Sequence, residues 1–217
     1  MSHTFSLPCG ENAGPRQSTV ETPRATLFLR DFCTPPFVDS LKPDVGLRAF
    51  ARLPEREHQL LRTIAERPDS ILTLAYTQQG VIVGQVTLVP AEDSWQGLTN
   101  TYEIAFEVSD GWRKSGIMRQ LLKQVFELDC LEDLIIIGMG LSWHWDTAGL
   151  GMTRFAYRTM IERLTAHHGF AEYLTSDENI RMDPANIFLV RFGHRVATDT
   201  IYQFHERLLQ SDTLTGM

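Results

Sequence analysis

A mixed α/β domain is the fold class this sequence predicts, and three observations carry the prediction. Two β-rich runs, Ile71–Tyr76 and Val81–Val89, flank the short glycine-bearing turn Thr77-Gln78-Gln79-Gly80, which marks an antiparallel hairpin. A strand-like run, Tyr102–Val108, then passes through a short basic loop into a helical pattern at Gly116–Leu128. Beyond it, strand and helix patterns keep alternating, so strands and helices are interleaved rather than segregated. The 217 residues fit one domain with short appendages.

Taken in order, residues 1–24 hold Pro8, Gly10, Gly14, Pro15 and Pro23 among polar side chains and read as a poorly ordered leader. The domain is therefore placed at 25–212. Ala25–Arg30 suits a first strand, after which Pro35, Pro36 and Pro43 break the chain into an irregular stretch. Pro54–Arg67 predicts a helix: Pro54 suits its first turn, Glu55 and Glu57 favour its positive end, and Pro68 stops it. Leu60, Leu61, Ile64 and Ala65 fall on one face of it. The hairpin follows, and Pro90–Asn100 reads as a polar loop. In the Gly116–Leu128 helix, Leu121, Leu122, Val125 and Phe126 face the core. Leu134–Met139 predicts a buried strand, Thr153–Thr165 a helix ended by Gly169, and Phe170–Thr175 a strand. Pro184–Phe192 predicts a short helix with Pro184 at its start, and Asp199–Leu209 a last helix.

Composition excludes several function classes. No stretch approaches the roughly 18 to 20 apolar residues of a membrane span, and Met1–Gln17 lacks the apolar run of a signal peptide. Cys9, Cys33 and Cys130 are scattered and odd in number, which suits a reducing, cytoplasmic setting and offers no zinc spacing. No other His, Cys or carboxylate spacing supports a metal. The formal net charge of −7 disfavours a nucleic-acid partner, because phosphate binding needs a basic surface.

The chemistry concentrates in Tyr102–Met118. A strand runs into Arg113, Lys114, Ser115 and Gly116, and a helix starts at once. Such a helix start presents unpaired N–H groups and the positive end of the dipole, a site suited to a diphosphate. Gly116 permits close approach of backbone to phosphate, and Arg113 and Lys114 add charge at the rim. An ordinary βα turn carrying basic residues is the plain alternative.

This segment resembles the acetyl-CoA motif of the GNAT acetyltransferases, Arg/Gln-x-x-Gly-x-Gly/Ala between a strand and a helix. Here the motif reads Arg113-Lys114-Ser115-Gly116-Ile117-Met118, with Met118 where a small residue is usual. A second set of blocks is more specific: Trp143-His144-Trp145-Asp146, Tyr157–Glu162, Thr175–Glu178, Asp183-Pro184-Ala185-Asn186 and Arg191-Phe192-Gly193. In this order and spacing, over about Pro54 to Arg207, they resemble the acetoin-utilisation acetyltransferases (AcuA). The resemblance implies a GNAT fold, with a mixed, mostly antiparallel central sheet flanked by helices. It implies acetyl-CoA as co-substrate, no metal, and a protein lysine as acceptor, the family's target being acetyl-CoA synthetase. A small amine as acceptor is the alternative within the same chemistry. A degenerate GNAT-fold binding module is the alternative outside it.

Direct acetyl transfer needs a base for the amine and a donor to the developing oxyanion. The strand Tyr102–Val108 offers Glu103 and Glu107, which share a face because side chains alternate. Glu103, in Glu-Ile-Ala-Phe, looks like the base of histone-type GNATs and is preferred to Glu107; solvated strand carboxylates are the plain reading of both. The resemblance further gives Val108 main-chain groups for the thioester and pantetheine arm. It gives Arg113, Lys114, Ser115, Gly116, Ile117 and Met118 the diphosphate, and Asn186 the CoA arm. A capping role near Pro184 competes for Asn186. His144 reads as packed among aromatics and bonded to Asp146, and Trp143 and Trp145 as core. Tyr157, Tyr173 and Tyr202 are equivalent candidates for a thiolate donor.

Overall fold

Core formation divides the chain between two compact units, residues 1–89 with 105–129 and residues 90–104 with 130–217. The computed structural model describes residues 9, 14–48, 53–92, 95, 98 and 100–209.

In the first unit, β1 (Gln17–Glu21) pairs antiparallel with β2 (Thr26–Arg30). β2 pairs in the same sense with β4 (Ile71–Thr77), and β4 with β5 (Val81–Pro90). β3 (Lys42–Pro43) lies parallel to the start of β5. The β4–β5 turn closes with Gly80 at φ +76°, a conformation that glycine adopts without steric cost. At Gln17–Glu21, β1 replaces the poorly ordered leader expected over residues 1–24, of which 1–8 and 10–13 lie outside the described residues. Its register runs from Gln17 opposite Arg30 to Glu21 opposite Thr26, and it is fastened at depth. Asp31, fully buried, accepts from the Arg16 backbone N–H at 2.6 Å and from Arg16 Nε at 2.8 Å. A buried carboxylate requires such a partner.

Two prolines open a helix where an irregular stretch was expected: α1 spans Pro35–Asp39, with a proline in its first positions. The ring fixes φ at a helical value and the missing N–H costs nothing there. α2 (Pro54–Glu66) ends as predicted before Pro68. Leu61 enters a core with Val38, Leu41, Leu47, Leu72, Leu74 and Ile82, flanked by Ile64 and Ala65, whereas Leu60 is exposed. Glu57 takes an inward place instead and accepts from Gln85 Nε2 at 2.6 Å.

In the second unit, the start of β6 (Thr101–Val108) pairs parallel with β7 (Ile135–Gly140), Thr101–Glu103 lying opposite Ile135–Ile137. β8 (Ala171–Glu172) and β7 both pair antiparallel with β9 (Ile187–Phe192). β9 corrects the helix expected at Pro184–Phe192. Ile187, Phe188, Leu189 and Val190 are all buried, and a short continuous apolar run does not distinguish a buried strand from a buried helix. The strand expected at Phe170–Thr175 shrinks to the two residues of β8. The helices are α4 (Thr147–Leu150), α5 (Arg154–Ala166), α6 (Glu178–Arg181) and α7 (Thr198–Leu208). Their core includes Ile135, Ile137, Phe188, Val190, Phe204 and Leu208, with Trp95 stacked 4.6 Å from Phe204 and 5.6 Å from Phe188. Among the described residues, no helix is long and apolar enough to cross a membrane. Cys33 is a free, buried thiol.

Candidate active site

The diphosphate-type loop lies wholly in the first unit. β6 ends at Val108, and Ser109 N–H donates to Val83 O at 2.9 Å, fastening the strand end to β5. A single 3-10 turn, Asp110–Trp112, follows. Lys114 (φ +62°) and Gly116 (φ +80°) then adopt left-handed backbone, and α3 begins at Ile117 and runs to Phe126. The 4-residue bond from Gln120 N–H to Gly116 O, at 3.3 Å, opens the helical ladder. The N–H groups of Ile117, Met118 and Arg119 therefore precede it, at the positive end of the dipole, and no side chain caps this end.

Two glycines set the geometry. A Cβ at Gly84 would lie 3.1 Å from Leu121 Cδ1 and 3.4 Å from Glu107 O and Ile117 Cγ2, so the missing side chain lets α3 sit close on the sheet. A Cβ at Gly116 would meet nothing within 4 Å. That position needs glycine for its φ and keeps open space above the turn. The loop thus fits a diphosphate.

The loop side chains serve largely to hold its shape. Arg113 Nε donates to Val108 O at 3.4 Å and its terminal nitrogen pairs with Asp110 Oδ1 at 2.8 Å. Ser115 Oγ donates to Trp112 O. Lys114 is exposed, Ile117 is buried and Met118 is half-buried. Beside the loop stands a clamp that sequence reasoning missed. Arg48 N–H donates to Glu107 Oε1 at 2.6 Å, and the Arg48 guanidinium pairs with Asp110. Asp44 accepts from Gly46 N–H at 3.0 Å and from the buried Ser109 hydroxyl. A Cβ at Gly46 would come within 2.8 Å of Asp110 N, which explains that glycine as a close approach. Glu107, only 6% exposed, is thereby the anchor of the 44–48 loop. Glu103, half-buried, stands opposite Ile137 in the β6–β7 register of the second unit.

The blocks that distinguish this sequence are tied into the chain around them, and one contact, Trp145 on Tyr157, joins two of them. Asn186 Oδ1 accepts from Ser142 N–H at 2.7 Å, and its Nδ2 donates to Asn179 O at 2.7 Å. Asp183 accepts from Ser142 Oγ at 2.7 Å, from Arg154 at 2.8 Å and from Ala185 N–H at 2.8 Å. The Ala185 N–H bond first, and then the Ser142 hydroxyl, hold the Asp183 carboxyl below its ordinary value. Asn186 precedes β9 rather than starting a helix, and the side chain is consumed in tying residues 142, 179 and 186 together. Asp146 caps α4 through Gly149 N–H at 2.9 Å, and Trp145 stacks on Tyr157 at 5.0 Å. Trp143 is 50% exposed and His144 is exposed too, which corrects the reading of Trp143 as core. In the Arg191-Phe192-Gly193 block, Arg191 donates to His168 O at 2.9 Å and Leu131 O at 3.0 Å and pairs with Glu132. A Cβ at Gly193 would lie 2.3 Å from Glu132 O. These blocks build the second unit.

Residues 35–128, which run from α1 into the turn after α3, match the acetyltransferase (GNAT) family. The acetoin utilization protein AcuA of Bacillus licheniformis is 32% identical over 163 residues, covering 73% of this chain and 77% of that protein. The chain belongs to the GNAT acetyltransferase family. AcuA of Bacillus subtilis is 27% identical over 192 residues, 86% of this chain and 90% of that protein. The crystal structure of an acetoin utilization protein from Exiguobacterium sibiricum superposes with a TM-score of 0.85 at 27% identity, over 90% of this chain and 94% of that one. The GNAT domain of PAT from S. lividans shares the fold alone, with a TM-score of 0.52 at 15% identity over 80% and 95% of the two chains. This GNAT protein is accordingly an N-acetyltransferase whose family uses acetyl-CoA. Its antiparallel pairings outnumber the parallel ones of β3 with β5 and β6 with β7, the mixed sheet that the resemblance implied.

Proposed function

We propose that this GNAT enzyme transfers the acetyl group of acetyl-CoA to a lysine of a protein, and that the acceptor is acetyl-CoA synthetase. The observation that carries the cofactor half is the uncapped start of α3, with open space above Gly116. The acceptor half rests on the resemblance to AcuA proteins, and a cytoplasmic setting belongs to the same reading. In this reading, the main-chain amides of residues 113–118 hold the diphosphate, with Gly116 contributing clearance and Arg113 bracing the turn. The same reading gives Val108 main-chain groups to the thioester arm, although its carbonyl also accepts from Arg113 Nε. Asn186 is left out of the cofactor site, because both ends of its amide are engaged within the second unit.

Acetyl-CoA supplies a thioester, from which a deprotonated amine takes the acetyl group while the departing thiolate gains a proton. Glu103 is assigned as the base that accepts the amine proton, directly or through water. Glu107 is assigned a positioning role, because its carboxylate is already bonded to the Arg48 N–H. Tyr202 is exposed, whereas Tyr173 packs against Phe192 and His205; neither is preferred here as the thiolate donor.

The test is incubation with acetyl-CoA and purified acetyl-CoA synthetase, followed by peptide mass mapping. One acetylated lysine, appearing only with active enzyme, is expected. Acetylation of free polyamines but not of the synthetase would overturn the protein acceptor. Gly116→Asp sets a carboxylate against the phosphates and should abolish acetyl-CoA binding in calorimetry.

A further inference from the structure

Arg113 is the cation that sequence reading puts on the diphosphate, yet its guanidinium is bonded to the Val108 carbonyl and to Asp110, and its side chain is only 19% exposed. On a chain of net charge −7, two other arginines are gathered at this loop from distant parts of the sequence. Arg24 sits in the β1–β2 turn, which Thr22 braces through its hydroxyl to Ala25 O at 2.7 Å and its N–H to the same oxygen at 3.2 Å. From there its guanidinium donates to Gly111 O and lies 4.8 Å over the Trp112 ring. Arg48 reaches Asp110 from the 44–48 loop with 57% of its side chain exposed. Exposed Lys114 and Arg119 extend the same cationic stretch.

We propose that Arg24 and Arg48 are further cofactor-binding residues, which supply the side-chain charge for the phosphates of coenzyme A while Arg113 supplies loop rigidity. The inference rests on the cofactor reading above. Both guanidiniums are prearranged, one over an aromatic face and one on a carboxylate, so little side-chain freedom is lost when an anion arrives. Both remain solvent-accessible, so their attraction is screened by salt.

The experiment is calorimetry of the full chain with coenzyme A and with 3′-dephospho-coenzyme A, for wild type, Arg24→Gln, Arg48→Gln and the double variant. The Arg48 bond to Glu107 is made by the backbone N–H, so it survives the substitution. Each single change should raise Kd about threefold, and the double change about tenfold, as expected of exposed charge interactions. The dependence on salt should become shallower, and Arg24→Lys and Arg48→Lys should recover most of the loss. Weakening confined to coenzyme A assigns the pair to the 3′-phosphate, and equal weakening of both ligands assigns it to the diphosphate. Unchanged affinity in the double variant, with wild type binding normally, overturns this inference alone. Failure of wild type to bind coenzyme A overturns the cofactor reading and this one with it. Loss that lysine does not restore, with a lowered melting temperature, shows a merely structural role and also overturns it.

Discussion

The division of labour between the two glutamates of β6 can be tested by Glu107→Gln and Glu103→Gln. Glu107 Oε1 accepts the Arg48 N–H at 2.6 Å in a setting only 6% exposed. Glutamine keeps an acceptor oxygen there but removes the charge. A hydrogen bond to an ionised group contributes about 2 kcal/mol net and a neutral one about 1 kcal/mol. The substitution should therefore cost about 1 kcal/mol, which lowers Tm by about 2–4 °C in a chain of this size. Turnover should fall little beyond the effect of a looser 44–48 loop. Glu103→Gln should do the reverse, leaving Tm and acetyl-CoA affinity in place while kcat falls by about 10² or more, the scale of a lost general base. The assays are thermal unfolding, acetyl-CoA titration, and steady-state release of free CoA thiol. The reasoning is refuted if Glu107→Gln abolishes turnover at unchanged Tm while Glu103→Gln turns over normally.

Asn186→Ala removes the acceptor of a buried Ser142 N–H and the donor to Asn179 O; about 2–4 kcal/mol of stability should be lost, with CoA affinity within about twofold of wild type in calorimetry. Cys33 is pushed up to about 12 by burial, against the opposing pull of Arg30, so it should resist iodoacetamide in the native protein at pH 8 and react once urea unfolds the chain. His168 is held below its ordinary value by burial, then by His167 and Arg191. Its contribution to stability is therefore full above the ordinary histidine value of 6.5 and is lost as pH falls through the lower folded value. His168→Gln should flatten the decline in Tm between pH 7 and 5, and it spares the His168 carbonyl that Arg191 uses. Glu132 is lowered in spite of burial, chiefly by the His194 N–H and Arg191, so its contribution is lost only at still lower pH, below the ordinary carboxylate value.

Local signals were legible at several positions where one residue type fixes one conformation. Gly80 marked the β4–β5 turn, Pro68 the end of α2, and Gly116 the start of α3, because proline restricts φ and glycine alone enters positive φ cheaply. The loop proposed for the diphosphate is such a local device, a strand end, a glycine and a helix start within about ten residues, so its strand–turn–helix form was readable from chain order. What the chain order could not show is which groups fold back upon the loop. Asp44, Gly46 and Arg48 meet Ser109, Glu107 and Asp110 from some sixty residues away, and Arg24 meets Gly111 from 87 residues away. Their spacing carries no periodic signal. The same limit turned Pro184–Phe192 into a strand, because Ile187–Val190 are buried on both sides and sheet neighbours, not propensity, decide such a run. Nor could chain order show that Glu107 bonds to Arg48 and Asn186 to Ser142 and Asn179, since whether a carboxylate or an amide is engaged depends on which distant segment folds against it.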